Sequence, residues 1–354
     1  MISKNESLSV IDRDIALRSE NKLDALFFQL IDNNDINSIF ERRPQLTQQL
    51  MSLASEASFD AFEHQNEEAL RQVHQVLFYA YHSHLAEPLS CSSRNQYHPV
   101  LLQIRAFLES QWLFSEKRRA RTHALSLSPK NIIEELQRLW KNHSVSSHAL
   151  FDFLEHEANS QQLCYFFKSD SALNLLFFDL VAMTLVGSFP ETRGEISHNL
   201  WDEIGQGSNE FTHVNLYKDL LYRRGINLPE DHYTHLYNWQ GLAGYNLFMM
   251  GGVTRCHYYK LIGMMAMTEL LDPSQYEKLV NGSRRLGLSA RDVHYYSEHI
   301  SVDIDHADGW LNNVIIPVAE RYPQALEEIY FGAQLRLQTC QDYYDNLLKT
   351  LKAL

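Results

Sequence analysis

The sequence predicts an all-α protein, and three observations carry that prediction. Gly (14) and Pro (9) are scarce in 354 residues, whereas strand-rich folds need frequent turns. Apolar residues recur at helical spacing, as in Val76, Leu77 and Ala80, and then Leu101, Ile104, Leu108 and Trp112. Helix starts are marked by Ser128-Pro129 and by Ser289 with Asp292 three residues on.

Taken in order, residues 1–60 alternate short helical patterns with polar stretches such as Asp32-Asn33-Asn34-Asp35. Helices are expected over Glu67–Leu85 and Val100–Arg121, separated by a Ser-, Asn- and Pro-rich loop from Pro88 to Pro99. The Ser126–Pro129 break is the best boundary, dividing a helical N-terminal region (1–130) that packs on the core from a bundle (131–354). One helix then runs through Trp140, followed by helices near 150–169, 170–187 and 191–204, and on from Asn209. Phe248–Leu271 is the most apolar stretch, but Arg255, His257 and Lys260 interrupt it, so it reads as a buried helix rather than a membrane span. Asp272-Pro273 reads as a start and Asn281-Gly282 as a stop.

Composition excludes several functions. A formal net charge of −13 opposes phosphate backbones, and the one basic run, Lys117-Arg118-Arg119-Ala120-Arg121, reads as a solvated helix end. Cys91, Cys164, Cys256 and Cys340 are far apart and form no CxxC pair, and Met1–Ala16 lacks an apolar signal-peptide core, so a cytoplasmic location is expected.

The chemistry concentrates in two segments. In His299-Ile-Ser-Val-Asp303-Ile-Asp-His306, spacings of four and three put two imidazoles and a carboxylate on one helical stripe. That donor set suits iron, manganese or zinc. A polar face with chance histidines is the competing reading in a chain with 17 His. The second segment holds Glu203, Gly205, Gly207, Glu210 and His213. Glu210 and His213 have the Glu-x-x-His spacing of ferritin-like bundles. Glu203 and His213 are about 80° off a shared face unless the glycines admit a kink or π-bulge. Spacing alone leaves both glutamates open.

Together these segments resemble the haem-oxygenase-like diiron oxidases, seven-helix proteins that bind two irons and activate dioxygen. Members include a fatty-acid decarboxylase, N-oxygenases and an aminobenzoate-forming protein. Their His-x3-Asp-x2-His helix is matched by His299, Asp303 and His306, and their Asn-x-x-Asp-Glu-x-Gly-x-Gly segment by Asn199 through Gly207, with His213 following. The resemblance spans about 140 to 350, more weakly His98 to Arg121, and implies a haem-oxygenase-like bundle. It favours Glu203 over Glu210 and makes Glu269 the further glutamate. Asp170, in Asp170-Ser-Ala-Leu-Asn174-Leu-Leu-Phe-Phe-Asp179-Leu-Val-Ala182, stands where the family has Glu. One methylene shorter, it reaches less far toward a second metal.

The implied metal set is therefore Asp170, Glu203, His213, Glu269, His299, Asp303 and His306. Its four carboxylates balance two Fe(II), with manganese as the other metal accepted and O2 as cosubstrate. Without a cation they would repel and raise one another's pKa. The expected partners are O2 and a small amine- or carboxylate-bearing substrate, with neither nucleic acid nor membrane and with a homodimer left open. Tyr295, Tyr296, Glu298 and Asp305 are candidate supports for the ligands. Arg255 or Lys260 offers a cation for a substrate carboxylate, against the blander role of surface ion pairs. The apolar run of Tyr245, Phe248, Met249, Met250, Tyr258, Tyr259, Met264, Met265 and Met267 reads first as core and second as pocket lining. The alternatives are a helical interaction protein with reduced catalysis, which Asp170 favours, and a mononuclear metal enzyme.

Overall fold

The computed structural model describes residues 22–120, 126–229 and 232–354. Readings that fall on residues 1–21, including the signal-peptide question, lie outside them. The chain divides into two compact units, Met1–Arg119 and Ala120–Leu354. Among the described residues there is no strand, and the four cysteines are free.

The first unit contains α1 (Leu23–Ile31), α2 (Ile36–Arg42), α3 (Leu46–Phe62), α4 (Glu67–His82), α5 (Cys91–Asn95) and α6 (Pro99–Arg119). Asn66 caps α4 by accepting from the Ala69 N–H at 2.9 Å. The periodic residues Val76, Leu77, Ala80, Leu101, Ile104, Leu108 and Trp112 are all buried, as their spacing predicts. The loop from Pro88 to Pro99 contains the short α5, capped by Ser90. Lys117, Arg118 and Arg119 of the basic run close the last turn of α6, and Arg121 lies outside the described residues.

The second unit contains α7 (Ile132–Asn142), α8 (Ala149–His156), α9 (Ser160–Asn174), α10 (Phe177–Leu185), α11 (Arg193–Glu203), α12 (His213–Arg223), α13 (Trp239–Val253), α14 (Tyr258–Arg285), α15 (His294–Gly309), α16 (Ile316–Arg321) and α17 (Leu326–Lys352). A six-residue π-helical segment, Trp310–Ile315, continues α15, and its Trp310 Nε1 donates to Asn199 Oδ1 at 2.8 Å.

The central element is α14, which packs on α8, α15 and α17. It corrects two expectations. Pro273 lies inside the helix rather than at its start, and Gly282 does not stop it. The physical reason is close approach. A Cβ on Gly282 would overlap the Leu154 carbonyl, and one on Gly263 the Ile329 carbonyl. In return, a Cβ on Gly332 would overlap the Lys260 carbonyl. Gly263 and Gly332 thus let α14 and α17 cross backbone to backbone, and packing along 28 residues outweighs one lost hydrogen bond at Pro273. A third correction concerns the expected break at 169/170. The break falls at Leu175–Leu176, so Asp170 sits within α9.

Gly332→Ala should therefore lower stability by about 1–3 kcal/mol, the usual cost of overpacking. Gly194→Ala, in α11 with nothing within 4 Å of the added methyl, should change it little. Denaturant melts of the two variants check both.

Candidate metal centre

Four helix segments deliver the predicted side chains. His299, Asp303 and His306 share one buried stripe of α15, and Glu269 is buried on the facing α14. Glu203 is the last residue of α11 and His213 the first of α12. Between them Gly205, Gln206 and Gly207 all adopt positive φ, at 60°, 53° and 90°. The expected kink is therefore a full chain reversal. It is favoured by glycine at two positions and held by Gln206 Nε2 donating to Asp202 Oδ1 at 3.0 Å. Thr212 then caps α12 by accepting from the Asn215 N–H at 3.2 Å. The reversal brings Glu203, not Glu210, to His213: Glu210 is exposed in a short 3-10 turn.

Six of the seven predicted residues form two buried triads, Glu203/His213/His299 and Glu269/Asp303/His306. Within each, one donor atom per residue lies within 4.8 Å of the others. The triads sit one helical turn apart, because His299 and Asp303 are four residues apart on α15.

The imidazoles are turned by their outer nitrogens. His299 Nδ1 donates to the Tyr295 carbonyl at 2.6 Å, which leaves Nε2 as the free lone pair. His306 Nε2 lies 3.0 Å from Asp202 Oδ2 while its Nδ1 lies 3.6 Å from Glu269 Oε2, so Asp202 orients the ring and Nδ1 faces the triad. His213 Nδ1 is buried and 3.0 Å from Glu203 Oε2, yet the pair lacks hydrogen-bond geometry, so this nitrogen has no hydrogen-bond partner among the described residues. A buried polar atom without a partner is costly, and a cation shared with Glu203 would satisfy it.

Electrostatics point the same way. Burial, then the charges of Glu269, Asp272 and Glu203, push Asp303 well above the usual carboxylate range. Burial and the neighbouring His213 hold His299 well below the ordinary histidine value, with the two rings 4.2 Å apart. Burial pulls His306 down, but Glu269 and Asp202 outweigh it and raise it to about 9. Burial likewise opposes the rise at His213, where Glu203 prevails. The residues fit two divalent cations: mixed carboxylate and imidazole donors suit iron or manganese, and without cations the acids repel one another.

Asp170 belongs to neither triad. Its Oδ2 accepts from Asn174 Nδ2 at 2.7 Å and from Tyr296 OH at 3.1 Å, and burial raises it to about 6 despite those bonds. It lines a cavity together with Glu269, His299, Asp303 and three residues that sequence reasoning missed, Asp272, Tyr276 and Arg336. Burial, opposed by Arg336 and reinforced by Glu269, raises Asp272 to about 7. Asp272 was legible as the residue three after Glu269 on one helix face. Arg336, which acts across the fold, carried no local signal; Asp202 is the Asp of the Asn199–Gly207 segment, but nothing local paired it with His306. Of the candidate supports, Tyr295 and Tyr296 take the contacts above, the half-buried Glu298 acts electrostatically on His213, and Asp305 is exposed. Arg255 donates to the Val186 and Gly187 carbonyls instead of forming the expected surface ion pair, and Lys260 does pair with Glu328 but is buried. The methionine run of α13 and α14 is core.

A helical bundle that buries two carboxylate–histidine triads one turn apart defines a class of metal-dependent redox protein. The chain belongs to the iron-containing redox enzyme family, whose sequence pattern matches residues 164–340, half of its length. It is an oxidoreductase of that iron-dependent, haem-oxygenase-like kind. No curated protein matches it. A solved structure, a CADD-like protein of unknown function from Nostoc punctiforme, is similar over 63% of this chain and 97% of that one, at 16% identity and a TM-score of 0.48. Among the described residues no helix is long and apolar enough to cross a membrane.

Two predictions follow from the geometry. A methyl on Gly205 would overlap the Phe211–Thr212 backbone at a φ of +60°, so Gly205→Ala should separate Glu203 from His213. Metal analysis should then show the first triad's ion lost, with helicity by circular dichroism retained. The second concerns pH. In metal-free protein His306 titrates near 9 when folded and near 6.5 when unfolded. Its stabilising contribution is complete below pH 6.5 and is lost as pH rises through 9. Thermal unfolding of stripped protein should therefore occur at lower temperature at pH 9 than at pH 7. Metal affinity should rise over the same window, because binding expels that proton.

Proposed function

We propose that the chain is a non-haem diiron oxidase or oxygenase. It acts with O2 on a small amine- or carboxylate-bearing metabolite, by N-oxygenation, oxidative C–C cleavage or desaturation. The observation that carries this reading is the pair of buried triads, each offering oxygen and nitrogen donors to one cation. Membership of an iron-containing redox family supports iron as that cation.

In this reading Glu203, His213 and His299 hold one iron, and Glu269, Asp303 and His306 the other. Bound iron supplies the electrons that reduce dioxygen. The protein's own residues do the rest. Asp202 fixes the His306 tautomer, and the Tyr295 carbonyl does the same for His299. Phe151, Phe166 and Phe177 give the cavity apolar walls that limit water. Both hydrogen bonds of Asp170 fall on Oδ2, so Oδ1 would be the oxygen left for the ligand role that the family resemblance implies.

Anaerobic Fe(II) titration tests the reading. Two irons should bind per chain, and oxygen exposure should give a transient visible absorption. His299→Ala should bind one iron and lose that absorption. Wild-type protein that binds one iron would favour a mononuclear enzyme. Wild-type protein that binds none would favour an interaction protein on the same scaffold.

A further inference from the structure

Three polar contacts cross-link α11 to α15 and to the π-helical segment that continues it. At the outer end, Glu195 Oε2 accepts from Asn313 Nδ2 at 2.8 Å. Gly309 leaves room for that carboxylate, since a Cβ there would overlap Glu195 Oε1. In the middle, Asn199 Oδ1 accepts from Trp310 Nε1 at 2.8 Å. At the inner end, Asp202 Oδ2 lies 3.0 Å from His306 Nε2. Positions 195, 199 and 202 climb α11 while 313, 310 and 306 descend toward the metal-facing stripe of α15. Each contact therefore sits about one helical turn, ~5 Å, from the next.

The middle contact is the buried one. Asn199 is 1% exposed and Trp310 is 0% exposed. Every polar atom of the Asn199 side chain is used: Nδ2 donates to the carbonyl and to Oε1 of Glu195, both at 3.1 Å, and Oδ1 takes the indole proton. Apolar side chains of similar size would fill the same space with no polar group to satisfy. They would also tolerate sliding, whereas a directional bond between two buried groups tolerates little. A slide of α11 by one residue, about 1.5 Å, would break this bond and draw Asp202 away from His306. Besides His306, Asp202 is hydrogen-bonded by Gln206, which is exposed in the chain reversal. Its place on His306 thus depends on the register of α11. While Asp202 holds Nε2, His306 keeps Nδ1 turned toward Glu269, 3.6 Å away; once released, the ring is free to turn or to carry its proton on Nδ1.

We propose that Asn199 and Trp310, with Glu195 holding the Asn199 amide, are positioning residues that set α11 against α15 and so keep Asp202 on His306. The placement of the ring does not rest on the proposed function; its use as an iron ligand does.

Heteronuclear NMR of histidine-labelled, metal-free protein reads the His306 Nε2–H through its exchange with water, and Asp202→Ala identifies the signal by removing it. Trp310→Phe, which keeps an aromatic ring and removes the donor, should speed that exchange about tenfold or more. Glu195→Ala, at a half-buried position, should speed it by a smaller factor. Leu247→Ala, in the core of α13, which packs on α10, α14 and α17, should lower the unfolding temperature without speeding it. Unchanged exchange in Trp310→Phe or in Glu195→Ala overturns the inference, and where Trp310→Phe does not fold, Glu195→Ala decides alone. Equal acceleration in Leu247→Ala also overturns it, because lost stability would then explain the effect. Normal exchange behaviour in a chain that binds no iron would sink the diiron reading and leave this one standing. Unaltered exchange in Trp310→Phe, in a chain whose wild type binds two irons, does the reverse.

Discussion

Charge burial is the constraint on which the second unit depends. Glu203, Glu269 and Asp303 are buried inside a helical bundle, with Asp170 and Asp272 on the wall of the same cavity. Like charges in a medium of low polarity repel strongly, and desolvation adds to the cost. The protein without cations holds protons more tightly: burial raises Asp170, Asp272 and Asp303 above the ordinary carboxylate range, and Glu269 and Asp202 outweigh burial to raise His306 above the ordinary histidine value. Each of those shifts marks a place where positive charge is favoured. Iron in the two triads would supply it and release the protons, so metal binding, protonation and folding stability form one coupled equilibrium.

That coupling needs rigid helices, and α14 provides the reference. Its glycines bring α17 and α8 to backbone contact, so Glu269 and Arg336 are set on two elements that cannot easily slide. Pro273 lies four residues beyond Glu269 and donates no hydrogen bond to its carbonyl. The helix is thus weakest in backbone bonding where it carries its metal-facing acid. The Gly205–Gly207 reversal plays the corresponding part for Glu203 and His213, which come from different helices and meet only because the chain turns back between them.

The helical class was legible in the sequence because it rests on periodicity, which is local, and α4 and α6 bury the very residues their spacing selects. The α15 stripe was legible for the same reason. Helix ends were less so. Asp272-Pro273 and Gly282 carry start and stop signals, but their use is decided by how closely Leu154 and α17 approach, which no local pattern encodes. Spacing could not choose between Glu203 and Glu210, since the answer lies in three left-handed residues; family resemblance favoured Glu203, the one brought to His213. Arg336, and the role though not the presence of Asp202, stayed hidden because each acts on a partner far away in sequence, 104 residues in the pair of Asp202 with His306 and 68 in the pair of Arg336 with Thr268.

Asp170 shows how a shortened side chain fits such a site. It takes no part in either triad, so its missing methylene leaves the six grouped donors intact. Its hydrogen bonds to Asn174 and Tyr296 hold it at the cavity wall, and Tyr296 in turn lies 3.2 Å from the Tyr217 hydroxyl. A longer glutamate at this position would reach further into the cavity that Asp170 shares with Glu269, Asp303 and Arg336. With aspartate, that space is kept. If each triad holds one cation, three protein donors would leave coordination positions open, the arrangement expected of catalytic rather than structural metal sites. Under the proposed function, the same shortening would cost a carboxylate some reach toward the metals while leaving more of that cavity open.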